Sequence, residues 1–225
     1  MYHWTMVSTK QIIVKVIPSK IANEFVKKHH YSKRVVPNSQ LHFGCFLNWI
    51  LGGVLSYWPS TDKKKLIWLV EWTQRNEFIE LNRMAFSNLL PRNSESRCIA
   101  ITIRMIKKNA PHIKRIVSFA DWCQCWDWTI YRASWFELTQ INKNKDVRKD
   151  KDWNIYARTT ISAHHPEKKH ERKQMIPIDW FMLRYIKLLK PNLKRNYEII
   201  PYTEIDKYWA WMYKWKKITR AERHK

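Results

Sequence analysis

The sequence predicts an α/β domain built on a mixed central sheet flanked by helices. Two observations carry this. Short apolar, β-branched runs alternate with segments of helical period in the order β–α–β–β–β–β–α–β–α–β. In addition, 45% of the 225 residues are hydrophobic, enough for a sizeable buried core. The length suits one domain plus an extension.

Residues 11–18 alternate and are β-branched, so they form the first strand. Ser19 can cap a helix over residues 20–29, with Ile21, Phe25 and Val26 facing inward. A polar loop over 31–40 leads to a hairpin of residues 41–47 and 50–57, turning at Asn48-Trp49. Residues 66–70 and 77–86 are further strands. Asn93 or Ser94 can cap the next helix, residues 95–109, which carries Ile99, Ile103 and Ile106 at helical spacing and ends at Pro111. Residues 112–121 form a short apolar run bounded by turn signals, the pattern of a buried central strand. A short helix over 129–134 and a strand over 136–141 complete this part. The polar run 142–151 then separates a core, residues 1–150, from a basic C-terminal extension, residues 151–225. The extension is expected to pack on the core with a strand near 154–161, a basic loop at 164–173 and a helix around 179–189.

The glycine count is anomalous. Ordinary usage of about 7% predicts roughly 16 glycines in a chain of this length. There are 3, beside 14 tryptophans, and the two together make 17. The tryptophans also stand where backbone chemistry wants glycine. Asn-Gly is the strongest signal for a two-residue hairpin, because both turn residues need positive φ; here the pair is Asn48-Trp49. Trp122, Trp126 and Trp128 crowd one short loop with two Asp-Trp steps, and Trp209-Ala210-Trp211 reads naturally as Gly-Ala-Gly. We therefore expect many of these codons to be UGA, read as glycine in the source. The competing reading is a tryptophan-rich protein whose rings stack on bases. UGG codons at these positions would exclude recoding.

Lys and Arg number 42 against 19 acids, a formal net charge of +23. Each phosphate neutralised by such a chain releases condensed counterions, so nucleic acid is the expected partner. No run of 18 or more uncharged apolar residues appears, and the first residues lack a basic stretch followed by an apolar core. The expected location is the cytoplasm, with no membrane partner. Cys45 and Cys98 read as reduced buried thiols; Cys123-x-Cys125 lacks the second pair that a tetrahedral metal site needs.

Three places could carry chemistry. A strand, loop and helix with small polar residues at the helix start offers backbone N–H groups to a pyrophosphate, and Arg92 and Arg97 flank that loop. The bland alternative is a plain N-cap at Asn93-Ser94. His29-His30-Tyr31 places two imidazoles and a phenol at a helix end, although a surface His pair is commonly inert. Asp121 lies at the carboxyl end of a central strand, where open α/β sheets place ligands; its alternative is a turn cap. Ser118 reads as a buried strand position.

Read with glycine at 135, residues 131–136 (YRASWF) resemble the Tyr-x-x-x-Gly-Phe ending of the helix that follows the CoA-splaying strand of the acetyltransferase superfamily. Ser94 and Ser96 stand near where that superfamily commonly carries glycines. The stretches 28–32 (KHHYS), 81–84 (LNRM), 90–97 (LPRNSESR), 118–121 (SFAD), 129–134 (TIYRAS) and 205–217 together resemble those of the Mom-like adenine modification proteins. The resemblance covers roughly residues 20–217. It implies an acetyltransferase-like, GNAT-type fold and acetyl-CoA as donor. It also implies carbamoylmethylation of the exocyclic amine of adenine in double-stranded DNA, shielding phage DNA from host nucleases, and an association with a metal, iron being the candidate. On this reading His30, Tyr31, Asp121 and Tyr131 are the catalytic candidates, with Tyr131 as an acid toward the CoA thiolate or else a core tyrosine. Arg92, Asn93, Ser94, Ser96 and Arg97 are the cofactor-binding candidates. The alternatives are a CoA-dependent N-acyltransferase for a protein, RNA or small amine, and a non-catalytic basic nucleic-acid-binding protein.

Overall fold

A computed structural model of the chain describes residues 8–60, 63–121, 129–144, 146–158, 161–162, 165–178, 180–207, 212–213 and 216–217. It forms two compact units: residues 1–119, 128–139 and 184–201, and residues 120–127, 140–183 and 202–225.

Most of a seven-stranded sheet lies in the first unit, with the ends of three strands assigned to the second. In chain order its strands are β1 (Ile13–Val16), β2 (Leu41–Leu47), β3 (Ile50–Trp58), β4 (Phe78–Phe86), β5 (Arg115–Asp121), β6 (Glu137–Asn144) and β10 (Trp180–Leu188). Their spatial order is β1-β2-β3-β4-β5-β10-β6. The first four are antiparallel neighbours, and β5 runs parallel to β4. A strand on each side makes β5 central, which explains its continuous apolar character.

Helix α1 (Ser19–His29) covers one face, burying Ala22, Phe25 and Val26 against Val54 and Ala85. Helix α3 (Ser94–Asn109) buries Cys98, Ile99, Thr102, Ile103 and Ile106. Tyr57 donates its hydroxyl to Thr102 Oγ1 at 2.7 Å, since that oxygen's own proton goes to the Ile99 carbonyl. Residues 54 and 57 point to opposite sides of the pleat, so the two helices sandwich the sheet. Ile21, expected inside, is exposed, because Ala22 one step around the helix takes the inward position. Pro18 rather than Ser19 stands at the N-cap of α1.

Two other expectations change. Residues 66–70 are not a strand; helix α2 (Lys63–Ile67) occupies the start of this stretch and buries Leu66. The helix expected around 179–189 is strand β10, whose burial alternates through Phe181, Leu183 and Tyr185. Its flanking strands, β5 and β6, supply two ladders that a helix there could not satisfy.

In the second unit β7 (Val147–Lys149), β8 (Ile155–Ala157) and β9 (Ile176–Pro177) form a small sheet in the order β8-β7-β9. Tyr156, Ile161 and Met175 make its core. The strand expected over 154–161 is thus only β8. The chain also forms α4 (Thr129–Ala133), α5 (Glu204–Lys207) and a short ladder of β11 (Met212–Tyr213) with β12 (Lys216–Lys217). Among the described residues, no helix is long and apolar enough to cross a membrane. Cys45 and Cys98 are free and buried, while Cys123 and Cys125 lie outside the described residues.

The glycine anomaly has a backbone counterpart. Positive φ occurs at Lys33, Asn48, Trp49, Trp72, Asn93, Trp135 and Trp153, and at none of the glycines, among the described residues. Asn48 and Trp49 have φ of 49° and 67° between the paired residues Leu47 and Ile50. Positive φ at both positions makes this a type I′ hairpin, for which the second residue is ordinarily glycine. Trp135, φ 59°, ends α4: its N–H bonds to the Arg132 carbonyl and the Phe136 N–H to the Tyr131 carbonyl. That is a Schellman motif, whose left-handed residue is usually glycine. Trp153, φ 62°, follows the Asp150 turn between β7 and β8, where its N–H returns to the Asp150 carbonyl. The four tryptophan rings are 72% to 90% exposed, so none is held there by a core. Trp122, Trp126, Trp128, Trp209 and Trp211 lie outside the described residues.

Candidate active site and cofactor cleft

The parallel strands β4 and β5 diverge. Their ladder joins only Phe78 with Arg115, Ile79 with Ile116 and Glu80 with Val117, although β4 continues to Phe86 and β5 to Asp121. Where the ladder stops, Ser118 bridges the gap with a side chain, donating to the Leu81 carbonyl at 2.8 Å. Because the Ser118 proton is committed there, the hydroxyl of Tyr131 donates to Ser118 Oγ, at 2.6 Å. Tyr131 is buried, and its ring stacks on Tyr185 at 4.6 Å. Beyond this point the facing strand edges present main-chain donors and acceptors to whatever lies between them. A ligand with its own amides, lying extended, satisfies such edges as an added strand would.

The next residue of β4 carries a second irregularity. Tyr57 pairs with Leu81 and Ser56 with Arg83, so Asn82 is an extra residue, a β-bulge. Bulges re-aim side chains and concentrate beside active sites. The Asn82 side chain accepts from the Ser39 hydroxyl at 2.9 Å. His42 Nε2 donates to the Ser39 carbonyl at 3.1 Å, so His42 Nδ1 accepts from the Ser56 hydroxyl at 2.8 Å. Arg83 clamps the same loop, giving Nε to the Arg34 carbonyl at 3.0 Å and an Nη to the Asn82 carbonyl at 2.7 Å.

His30 ends α1 inside this cluster and is 8% exposed. The Ser32 backbone N–H points at its Nδ1 at 3.2 Å, with the Ser32 hydroxyl 2.8 Å away. A backbone amide only donates, so Nδ1 accepts and Nε2 carries the proton. Burial, with a smaller contribution from the Arg83 charge, pushes the His30 pKa down to about 4. At neutral pH the ring is an uncharged donor through Nε2, suited to polarising a carbonyl. The Tyr31 ring lies 4.2 Å from it, half-exposed. Glu80, half-buried near Ser60 and Arg83, has its carboxyl pKa raised by burial.

The lowered His30 pKa makes a stability prediction. The unfolded ring titrates at 6.5 and the folded one at about 4, so between these values the unfolded chain binds more protons. The neutral-ring stabilisation is complete above pH 6.5 and fades as pH falls toward 4, by about 3 kcal/mol at 1.36 kcal/mol per unit. His30→Gln should flatten that part of the curve of unfolding free energy against pH; an unchanged slope would mean that His30 is not held neutral.

A separate cleft of about 340 Å³ runs along the first turns of α3. Asn93 precedes the helix at φ 67°, and no side chain caps it; the Ser94 N–H goes to the Pro91 carbonyl, which leaves the Glu95 and Ser96 N–H groups uncapped. Of the expected cofactor set, Asn93, Ser96 and Arg97 line this cleft. Ser94 does not; it is buried and gives its hydroxyl to the Pro91 carbonyl. Arg92 is exposed outside the lining. Thr9, Ala133 and Arg104 are lining residues that the sequence reading missed. Arg104 lies seven positions after Arg97, two turns along one helix face and about 10 Å away, a spacing that could have flagged it. Arg97 and Arg104 thus bring two cations in line along this cleft.

Asp121 ends β5, and its side chain lies outside the described residues. Among the described residues no three His, Cys, Asp or Glu side chains converge on a metal position. His30 and Tyr31 alone do not make a ligand set for iron.

The fold and sequence both have counterparts among known proteins. A crystal structure ascribed to a phosphinothricin N-acetyltransferase superposes with a TM-score of 0.51, covering 80% of this chain and 99% of that one at 8% identity. An acetyltransferase of the GNAT family from Elizabethkingia anophelis, solved with acetyl-CoA bound, superposes at 0.48 over 79% of this chain and 98% of that one at 14% identity. On the first of these superpositions the fold is acetyltransferase-like. The methylcarbamoylase mom of Escherichia phage Mu is 32% identical over 155 residues, 69% of this chain. The match spans 64% of that relative's length. The model of the Mom protein family matches residues 11–204, and on that extent the chain belongs to the Mom protein family.

Proposed function

We propose that the protein is a CoA-dependent transferase that modifies the exocyclic amine of adenine in double-stranded DNA, in the host cytoplasm if phage-encoded, and thereby shields that DNA from restriction. Membership in the Mom family, together with a β4–β5 gap continuous with an acetyltransferase-like fold, is the observation that carries the reading. The net charge of +23 supports a polyanionic partner.

Acetyl-CoA fits the residues present. Its pantetheine amides suit the open strand edges beyond Ser118, and its phosphates suit the uncapped start of α3 with Arg97 and Arg104. When bound, it supplies an activated two-carbon unit. The chain's own residues then hold the acceptor and manage protons. His30 Nε2 and the bulge at Asn82 offer donors to a carbonyl oxygen, and adenine's weakly nucleophilic amine needs a base, a role for which Asp121, the last residue of β5, and Glu80 are the candidates. Tyr131 is assigned to returning a proton to a departing thiolate, for which its hydroxyl must leave its bond to Ser118. Tyr31, half-exposed beside His30, is assigned to holding the acceptor. The carbamoylmethyl adduct implied by the family needs a two-electron oxidant and an amide nitrogen besides acetyl-CoA, whereas acetyl transfer needs neither.

Nucleoside mass spectrometry on plasmid DNA from cells expressing the protein, with Asp121→Ala alongside, tests the reading. An adenine adduct that disappears in the variant is expected, and its mass separates carbamoylmethyl from acetyl. Unmodified DNA from soluble, folded protein would refute it and favour a protein, RNA or small-amine acceptor.

Loss of Arg97 and Arg104 together should weaken CoA binding by calorimetry about 10- to 100-fold, on the order of 1.5–3 kcal/mol for charge-assisted contacts. Unchanged affinity would remove the α3 cleft from the cofactor site.

A further inference from the structure

A second cleft, of about 550 Å³, lies where β3 ends and α2 begins. Lys63, Lys64 and Arg75 converge on it, with Asn38 and Ser60 as polar lining and Pro59 as apolar wall. We propose that this cleft binds the phosphodiester backbone of duplex DNA beside the base being modified. The inference rests on the DNA reading above and deepens it, by naming where the strand is held.

Three observations carry it. The first is charge. Asp62 lies outside the described residues, and the next acids along the chain are paired elsewhere: Glu71 with Lys194 at 2.9 Å and Glu77 with Lys114 at 2.8 Å. No carboxylate among the described residues pairs with Lys63, Lys64 or Arg75. Three cations around one concavity that no described carboxylate neutralises cost Coulomb repulsion unless an anion joins them.

The second is position. Asn38 adjoins Ser39, whose hydroxyl holds the bulge residue Asn82. On the other wall, Ser60 follows β3 by two residues, and the last residue of β3, Trp58, pairs with Glu80 on β4. The cleft therefore opens within two residues of the bulge from two separate segments. A backbone held there sets its base beside the Asn82 bulge.

The third is size. A volume of about 550 Å³ falls within the range of about 300–1,000 Å³ typical of small-molecule sites, enough for one nucleotide unit with its phosphate. Lysines and an arginine at the rim suit phosphate oxygens and read no sequence, so this cleft sets register while base contacts made elsewhere specify the target.

The test compares Lys63→Ala/Lys64→Ala/Arg75→Ala with Lys107→Ala/Lys108→Ala/Lys190→Ala. The second variant removes the same charge from exposed positions distant in sequence from the cleft. Anisotropy titrations of a fluorescent DNA duplex over about 50–200 mM salt give affinity and its salt slope. The cleft variant should lose about 2–3 units of slope, at about 0.9 per phosphate contact, and at least about tenfold more affinity than the matched variant. CoA binding unchanged in both would certify that they fold. Equal losses in the two variants would overturn the placement and leave only bulk charge. A parent that ignores duplex DNA would instead refute the DNA reading itself, and tighter binding to RNA would reassign the partner.

Discussion

Trp72→Gly and Trp135→Gly each stabilise the protein by about 1 kcal/mol, an expected result that runs against the usual cost of introducing glycine. A left-handed conformation costs an L-residue about 1–2 kcal/mol, and glycine nothing. Against this stands the extra unfolded-state entropy of glycine, about 0.5–1 kcal/mol. Neither ring offsets the balance, for Trp72 is 90% and Trp135 81% exposed. What their backbones do survives the change: Lys114 still reaches the Trp72 carbonyl and Lys187 the Trp135 carbonyl. Trp49 and Trp153 should gain less. Lys15 sits 4.4 Å from the Trp49 ring and Lys149 3.2 Å from that of Trp153, contacts worth about 0.5–1 kcal/mol at exposed sites. The Trp72/Trp135 double variant should melt about 4–8 °C higher, at about 2–4 °C per kcal/mol for a chain of this size. A lower melting temperature would show that these rings hold the turns, and the recoding argument would fall with it.

Tyr131→Phe and Ser118→Ala should separate catalysis from folding. Tyr131→Phe removes a proton that the phenol gives to Ser118 and leaves the Ser118 bond to the Leu81 carbonyl intact. Its stability cost is therefore about 1 kcal/mol. If the phenol protonates the departing thiolate, adduct formation falls about 10²- to 10⁴-fold. Ser118→Ala takes the donor from a buried carbonyl and an acceptor from a buried phenol, so it costs more, about 2–4 kcal/mol. The opposite ranking, with Tyr131→Phe fully active, would make Tyr131 a core residue only.

Local rules carried the fold as far as they apply. The β2–β3 hairpin was readable through Asn48 even with tryptophan in the glycine place, and α1 and α3 through their apolar spacing. Strand β10 was not, because its nine residues are apolar enough for either period and only its two neighbours decide between them. Helix α2 was misread for a related reason: Leu66 opens a short apolar run that the preceding lysines draw into a helical turn. The site divides the same way. Asn93, Ser96 and Arg97 follow from a helix start, whereas His42, Asn82 and Arg83 acquire their roles from a bulge and cross-strand register that no local pattern announces.

The seating of β10 between β5 and β6 governs the order in which the protein can assemble during synthesis. When β6 leaves the ribosome its partner is still about forty residues from being made, and β5 has only the short ladder to β4. Until residue 188 emerges, the central strand keeps one edge bare, a template for pairing with another nascent chain. Ribosomes pausing within residues 145–180 would prolong that exposure, so yield on overexpression should depend on translation speed through a segment that contributes none of the candidate site residues.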